Sequence, residues 1–353
     1  MTVLENLETG SRYALGELLG EGGYGVAYEA VELGPRGGRT GPRVCVKINH
    51  ETAAWHRECY FGEALRGARG AVQLLDSFVA LDGDEFSYCS VFERAHCSLA
   101  DLLTDAGLDW SEQQVLREFR HVLSAVVQLH EWGAMHRDVT PMNILVMGGG
   151  RQLKLGDFGI AKHGKQAKVD ADAFNPWFAP ESKQRARSQW RPRDDVWQLG
   201  QLLAALLRGK GVQIIEPKQV KHLDCSDSTK ALVYRCLTRP QFRFDSARDV
   251  LRALSEGADV RMSKLTSLTG RRLVFTGPMV RPRAELTRLA KRAKAIVQED
   301  VRWATEVVVV GEESPHWVAG SSGTKILQAL ALRDKGVPLK FITDTTFLGA
   351  VAH

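Results

Sequence analysis

The sequence predicts an α+β chain of two lobes, the first rich in strands and the second helical, followed by a small α/β domain with a parallel sheet. Three observations carry this. Residues 13–48 set apolar strands between Gly-rich turns. From about Ser111, apolar residues recur at helical spacing. Beyond Gly270, fully apolar strands alternate with helical stretches, as in a buried parallel sheet.

In the first lobe, the run from Tyr13 to Leu19 leads into a Gly-rich turn and Val26 to Ala30 leads out of it. A Gly/Pro/Arg loop spans Gly34 to Pro42, followed by the apolar strand Val44-Cys45-Val46-Lys47-Ile48 and, later, the strand Val72-Gln73-Leu74-Leu75. In the second lobe, Val115, Phe119, Val122, Leu123, Val126 and Leu129 mark an amphipathic helix that ends before Gly133. Further helices are predicted at 194–208, 227–237 and 245–255. Residues 256–270 have no clear periodicity and read as a linker. A strand and turn at 272–277 and strands at 306–311 and 338–342 then alternate with helices at 285–293 and 325–332. The implied organisation is a first domain over 1–255, with lobes at about 13–92 and 93–255, and a second domain over 271–353.

The net charge of +5 falls almost wholly beyond Gly270, which points to two domains with different partners. No run approaches the roughly 18 apolar residues of a membrane span. The start, Met1-Thr2-Val3-Leu4-Glu5, lacks the basic region of a signal peptide, so a cytoplasmic protein without a membrane partner is expected. The six cysteines form no C-x-x-C pair and read as reduced thiols, not as a disulfide framework or a zinc site.

Gly20-Glu21-Gly22-Gly23-Tyr24-Gly25 fits G-x-G-x-x-G between two strands, where backbone N–H groups can approach a polyphosphate. Alone, the pattern describes a tight hairpin equally well. Its weight grows because other groups follow in order. Lys47 closes an apolar strand. Glu58 and Glu63 are both available to pair with it; they lie five apart and cannot share one helix face, and Glu58 is favoured by its distance from the strand at 72–75. His136-Arg137-Asp138, then Asn143, then Asp157-Phe158-Gly159, then Ala179-Pro180-Glu181 complete the series. Asp138 can take a hydroxyl proton, and Asn143 and Asp157 are hard oxygen donors suited to Mg²⁺.

With these motifs in place, residues 13–255 resemble a bacterial eukaryotic-like Ser/Thr protein kinase domain of bilobal protein-kinase fold. The resemblance implies ATP as cofactor with two Mg²⁺ ions, Mn²⁺ serving as a substitute, and a protein substrate. It implies nucleotide contacts from Gly20 to Val26, Lys47 on the phosphates, Phe92 as the residue guarding the back of the pocket, and Glu93 and Ala95 as backbone partners of adenine. Asp195 resembles the helix residue that holds the catalytic-loop backbone. Thr140 and Phe174 depart from the pattern, standing where a phosphate-contacting Lys and its Thr partner are usual. No Ser, Thr or Tyr lies between Gly159 and Ala179, so Arg137 has no phosphorylatable partner there; Asp170, Asp172 or neither supplies a fixed anion instead. The site thus predicts slowed but phosphorylation-independent turnover.

Residues 271–353 carry Thr276-Gly277 after a strand, the basic series Arg281, Arg283, Arg288, Lys291, Arg292 and Lys294, and Gly323-Thr324-Lys325 opening a helix. They resemble a BRCT domain of the type that ends bacterial NAD-dependent DNA ligases, with Lys294-Ala295 in place of a Gly-Gly turn. That resemblance implies a small α/β domain with a parallel four-stranded sheet and a phosphate pocket of Thr276, Gly277 and Lys325 for a phosphopeptide or a DNA end. Two readings stay open: an active kinase targeted by this module in DNA-damage or stress signalling, and a weak or inactive kinase-fold scaffold that binds nucleotide.

Overall fold

The computed structural model describes residues 2–351 except 83–84, 151, 164–175, 182–189, 257–259 and 312–322. The chain divides into two compact units, residues 1–214 with 246–251, and residues 215–245 with 252–353.

The first unit opens with strands β1 (Val3–Glu5), β2 (Arg12–Gly22), β3 (Gly25–Leu33) and β4 (Arg39–Asn49), then helix α1 (Thr52–Ala64), then β5 (Leu74–Asp82) and β6 (Glu85–Glu93). They form one antiparallel sheet in the order β1-β2-β3-β4-β6-β5. Its core gathers Tyr13, Ala30, Val44, Val46, Phe78 and Val91. The strand expected at 72–75 is β5, which starts only at Leu74; Ala71 instead bridges Leu155, and the Val72 N–H donates to the Leu155 carbonyl. β1 lies ahead of the expected start of the lobe and is too short for periodicity to reveal.

The helical part contains β7 (Cys97–Ser98), α2 (Leu99–Asp105), α3 (Glu112–Glu131), β8 (Ala134–Met135), β9 (Ile144–Met147), β10 (Gln152–Leu155), β11 (Lys162–His163) and α4 (Pro192–Arg208). α3 begins with a reciprocal cap between Ser111 and Gln114, and its six predicted apolar positions are all buried. Burial of each such side chain contributes about 1.5–3 kcal/mol. α4 starts on Pro192, whose missing N–H has no helical partner to lose, and stops at Gly209, whose φ of 68° suits the left-handed turn.

The second unit holds α5 (Asp227–Leu237) and, after α6 (Ala247–Glu256), the elements β12 (Arg272–Thr276), α7 (Arg283–Arg292), β13 (Ile296–Gln298), β14 (Val307–Val310), α8 (Thr324–Asp334), β15 (Lys340–Thr343) and α9 (Asp344–Val351). The four strands form the expected parallel sheet, in the order β13-β12-β14-β15. All four valines of β14 are buried, and Phe275 meets Phe347 edge to face at 5.2 Å.

Two features differ from the sequence reading. The segment 256–270 is not a free linker: Leu268 is buried in the core of this unit, and Ser263 N–H donates to the Phe341 carbonyl. Its apolar residues are too scattered to show a period, yet Leu265 and Leu268 pack on the core of this unit. Residues 215–245 fall in this same unit. The reason is a set of contacts with α8. Arg235 Nη1 lies 2.9 Å from Asp334 Oδ2, with the Arg235 side chain 8% exposed, and Lys335 Nζ lies 2.9 Å from Asp245 Oδ1. The Arg235 guanidinium also stacks 4.0 Å from the Phe244 ring centroid.

Lys294 closes α7 with φ 57°, in the left-handed region that a side chain enters at a cost of about 1–2 kcal/mol. Lys294→Gly is therefore expected to raise the unfolding free energy by about 1 kcal/mol, read as a higher urea midpoint with unchanged slope.

Candidate active site

Lys47 sits on β4 between Ala27 of β3 and Ser90 of β6, so its backbone is clamped on both sides. Its Nζ lies 2.7 Å from Glu58 Oε1 and 3.0 Å from Asp157 Oδ1. Glu58 on α1 is 1% exposed, while Glu63 is exposed and paired with Arg66. Burial opposes charge on Lys47, but the Glu58 and Asp157 carboxylates raise its pKa above the ordinary value. Burial pushes Glu58 up against the pull of Lys47. For Asp157, burial also disfavours the anion, yet the Lys47 ammonium holds its carboxyl below the usual range. The result is a protonated Lys47 beside an ionised Asp157.

The loop 136–143 lies between β8 and β9 and is held from α4. Asp195 Oδ2 accepts from His136 N–H at 2.9 Å, and its Oδ1 accepts from Arg137 N–H at 3.0 Å and Trp190 Nε1–H at 2.8 Å. His130 Nε2 completes the shell at 3.0 Å from Oδ2. One turn on, Gln198 accepts from Val139 N–H at 3.0 Å and donates to the Arg137 carbonyl at 3.1 Å. These bonds hold Arg137 at φ 76°. His136 is buried, and burial lowers its pKa. Its Nδ1 accepts from Asp138 N–H at 3.3 Å, so Nε2 carries the proton and donates to the Gly156 carbonyl at 3.1 Å. Asn143 Nδ2 donates to Asp138 Oδ2 at 2.8 Å and to the Asp138 carbonyl at 3.0 Å.

A cavity of about 440 Å³ joins the Gly-rich hairpin to Lys47, Phe92, Ala95, Asn143 and Asp157. Gly20 through Gly25 and Glu93 also line it. Val26 does not; Ala27 does, because neighbours on a strand face opposite sides of the sheet. Cys45 lines it as well, and Cys97 and Met142 add to the lining without having been expected there. The Glu93 carboxylate accepts from Lys154 Nζ at 2.5 Å and from Gln73 N–H at 2.8 Å.

The oxygen set fits a hard cation. Asp157 is ionised, and Asn143 uses its amide nitrogen on Asp138, so its carbonyl oxygen is the atom left to accept a metal. Among the described residues no group of three or more His, Cys, Asp or Glu gathers to hold a metal. Such a cation would need phosphate and water oxygens to complete its shell.

Thr140 is buried inside the loop, its N–H donating to the Asp138 carbonyl and its carbonyl accepting from Asn143 N–H. Phe174, Asp170 and Asp172 lie outside the described residues. In the second unit, Thr276 is buried at the end of β12 and Gly277 has φ 81°. Lys325 Nζ donates to the Glu299 carbonyl, and both burial and the neighbouring Arg283 charge lower its pKa. Arg283 donates to the Gly277 carbonyl at 3.0 Å. Gln198, His130 and Trp190 escaped the sequence reading. Only the position of Gln198 one helical turn after Asp195 could have flagged it.

A family model described as the protein kinase domain matches residues 13–265. The chain belongs to this family. Residues 266–353 lie beyond the match. Among similar proteins, Cyclin-dependent kinase D-1 of Oryza sativa subsp. japonica is 29% identical over 202 residues, 56% of this chain and 46% of that protein. Serine/threonine-protein kinase STE20 of Saccharomyces cerevisiae is 29% identical over 230 residues, 63% of this chain and 23% of that protein. From Bifidobacterium longum, "Probable serine/threonine-protein kinase pknA2" is 28% identical over 209 residues, 56% of this chain and 27% of that protein. The chain thus spans less than half the length of each of these relatives. Among the described residues no helix is long and apolar enough to cross a membrane.

Asp195→Ala is expected to cost about 3 kcal/mol or more, since hydrogen bonds to a charged group contribute about 1.5–3 kcal/mol each. Urea unfolding of the two proteins measures this directly.

Proposed function

We propose that the chain is an ATP-dependent protein serine/threonine kinase that works with Mg²⁺. The single observation that carries this is the placement of Lys47 between Glu58 and Asp157 at one edge of a cavity that also contains Asn143 and the Gly-rich hairpin. In this reading, Lys47 binds phosphate oxygens and Glu58 orients it. Backbone groups of Gly20 to Gly25 cover the polyphosphate, and the main chain of Glu93 to Ala95 meets the adenine. Asp157 and Asn143 hold the cation, which neutralises charge on the transferring phosphoryl group when bound. The Asp138 carboxylate, with its Oδ2 fixed by Asn143, takes the proton of the substrate hydroxyl. Thr140 brings no cation to the γ-phosphate, so turnover is slow.

Thr140 is also what favours a second reading, a scaffold that binds nucleotide without transferring phosphate. Labelled phosphate transfer to a generic protein substrate separates the two. Asp138→Asn is expected to lower the rate by about a hundredfold to ten-thousandfold while ATP still binds. A parent protein with no transfer above the variant selects the scaffold.

For the C-terminal sheet, the reading is a BRCT-like module that binds a phosphate group. Its strand order reverses between β12 and β14, and ligands of open parallel sheets sit beyond the carboxyl ends of the strands at such a point. Thr276, Gly277 and Arg283 lie at that end of β12, and the Arg283 charge is felt at Lys325. A phosphopeptide and a 5′-phosphorylated DNA duplex are the two ligands to compare by titration calorimetry at several salt concentrations. Lys325→Ala is expected to weaken the one that binds; binding of neither at low salt rejects this reading.

A further inference from the structure

Arg57, next to Glu58 on α1, donates from Nε to the Gly159 carbonyl at 2.6 Å. One residue further on, the Ile160 carbonyl accepts from Arg137 Nη1 at 3.1 Å. Two guanidinium groups, one from α1 and one from the loop 136–143, thus grip consecutive carbonyls just after Asp157. The same stretch continues into β11, where Lys162 and His163 pair with β8. The His163 ring lies 6.0 Å from Tyr60 and 5.7 Å from Phe61, both on α1.

These contacts have a shared target. Asp157 has φ 55°, a left-handed conformation that is uncommon outside glycine and that aspartate enters more readily than most when its side chain bonds nearby main chain. Its Oδ1 is held by Lys47 and by the Gly159 N–H at 3.3 Å. The carboxylate can offer an oxygen to a cation only while the following main chain stays in place. Arg57 holds that main chain from the very turn of α1 that presents Glu58 to Lys47. A single placement of α1 therefore satisfies Lys47 and fixes the Gly159 carbonyl together.

We propose that Arg57 is a positioning residue for the metal-binding segment: it locks Asp157 in its cation-holding orientation through the Gly159 carbonyl. The lock is a charge-assisted bond to main chain, so it needs neither a phosphate nor a particular side chain in residues 160–178. It also couples the position of α1 to metal affinity. This inference rests on the kinase reading above and deepens it, because it assigns the device that sets the metal site.

The test is ATP binding to the full chain by titration calorimetry, with and without MgCl₂, alongside thermal unfolding. The readout is the factor by which Mg²⁺ tightens ATP binding. Arg57→Ala is expected to shrink that factor by about tenfold, the scale of one lost charge-assisted hydrogen bond. Metal-free ATP binding and the thermal midpoint should stay near those of the parent. Arg57→Lys, which restores a cationic donor, should recover part of the factor. Arg66→Ala, in the turn just after that helix and in an exposed pair with Glu63, should leave it unchanged. An Arg57→Ala protein with the full Mg²⁺ factor overturns the proposal. So does one that loses metal-free and metal-dependent binding equally with a lowered midpoint, which marks a merely structural role. A parent that binds ATP without any Mg²⁺ effect also overturns it and leaves nucleotide binding intact. A parent that binds no ATP at all brings down the kinase reading first and the proposal with it.

Discussion

One ammonium group organises the first unit. Lys47 lies against two carboxylates that come from distant parts of the chain, one on α1 and one after β10. Glu58 and Asp157 would repel each other at this range without it; Glu58 is buried and Asp157 only partly so. The positive charge thus decides where α1 packs and where the segment beginning at Asp157 runs. Removing one partner of a buried ion pair leaves an uncompensated charge and is far more costly than losing an exposed pair. The arrangement is therefore all or none: the three groups meet together or the cavity loses its polar wall.

A second charge plays the same part for the loop 136–143. Asp195 stands in the first turn of α4, where the helix dipole favours an anion, and its oxygens face backbone N–H groups of the loop. That support lets Arg137 hold a backbone angle rare for its type. Asn143 helps to orient the Asp138 side chain through its Oδ2. Rigidity is built into the main chain of the loop, and the reacting carboxylate is carried on it.

Much of this was legible in the residues. The helical period of α3 predicted its buried face position by position, because one apolar stripe on one long helix leaves little else for the core to use. Lys47, Asp138, Asn143 and Asp157 announced themselves through residue type and spacing, and the structure places Lys47 beside Asp157 and Asn143 beside Asp138. What the sequence hid was pleat and partnership. Val26 and Ala27 are adjacent letters, and only the register of β3 says which one looks into the cavity. Arg57 and Gln198 carry no motif, since each acts on a main-chain carbonyl or N–H that any residue type would present. The segment 256–270 read as a linker because its scattered apolar residues make no period, yet Leu268 fills a core.

The ion pair between Arg235 and Asp334 bears on how this chain can be taken apart. A cut placed after residue 255, where the periodic helices end, would separate a guanidinium that is almost fully shielded from the carboxylate beside it. The same cut would bare the side of α5 that α8 covers and free Asp245 from Lys335. Fragments made there would carry charges at Arg235 and Asp245 that have lost these partners, and so would lose stability for reasons unrelated to catalysis. The helices and the sheet on either side of that boundary are best expressed, purified and assayed as a single piece.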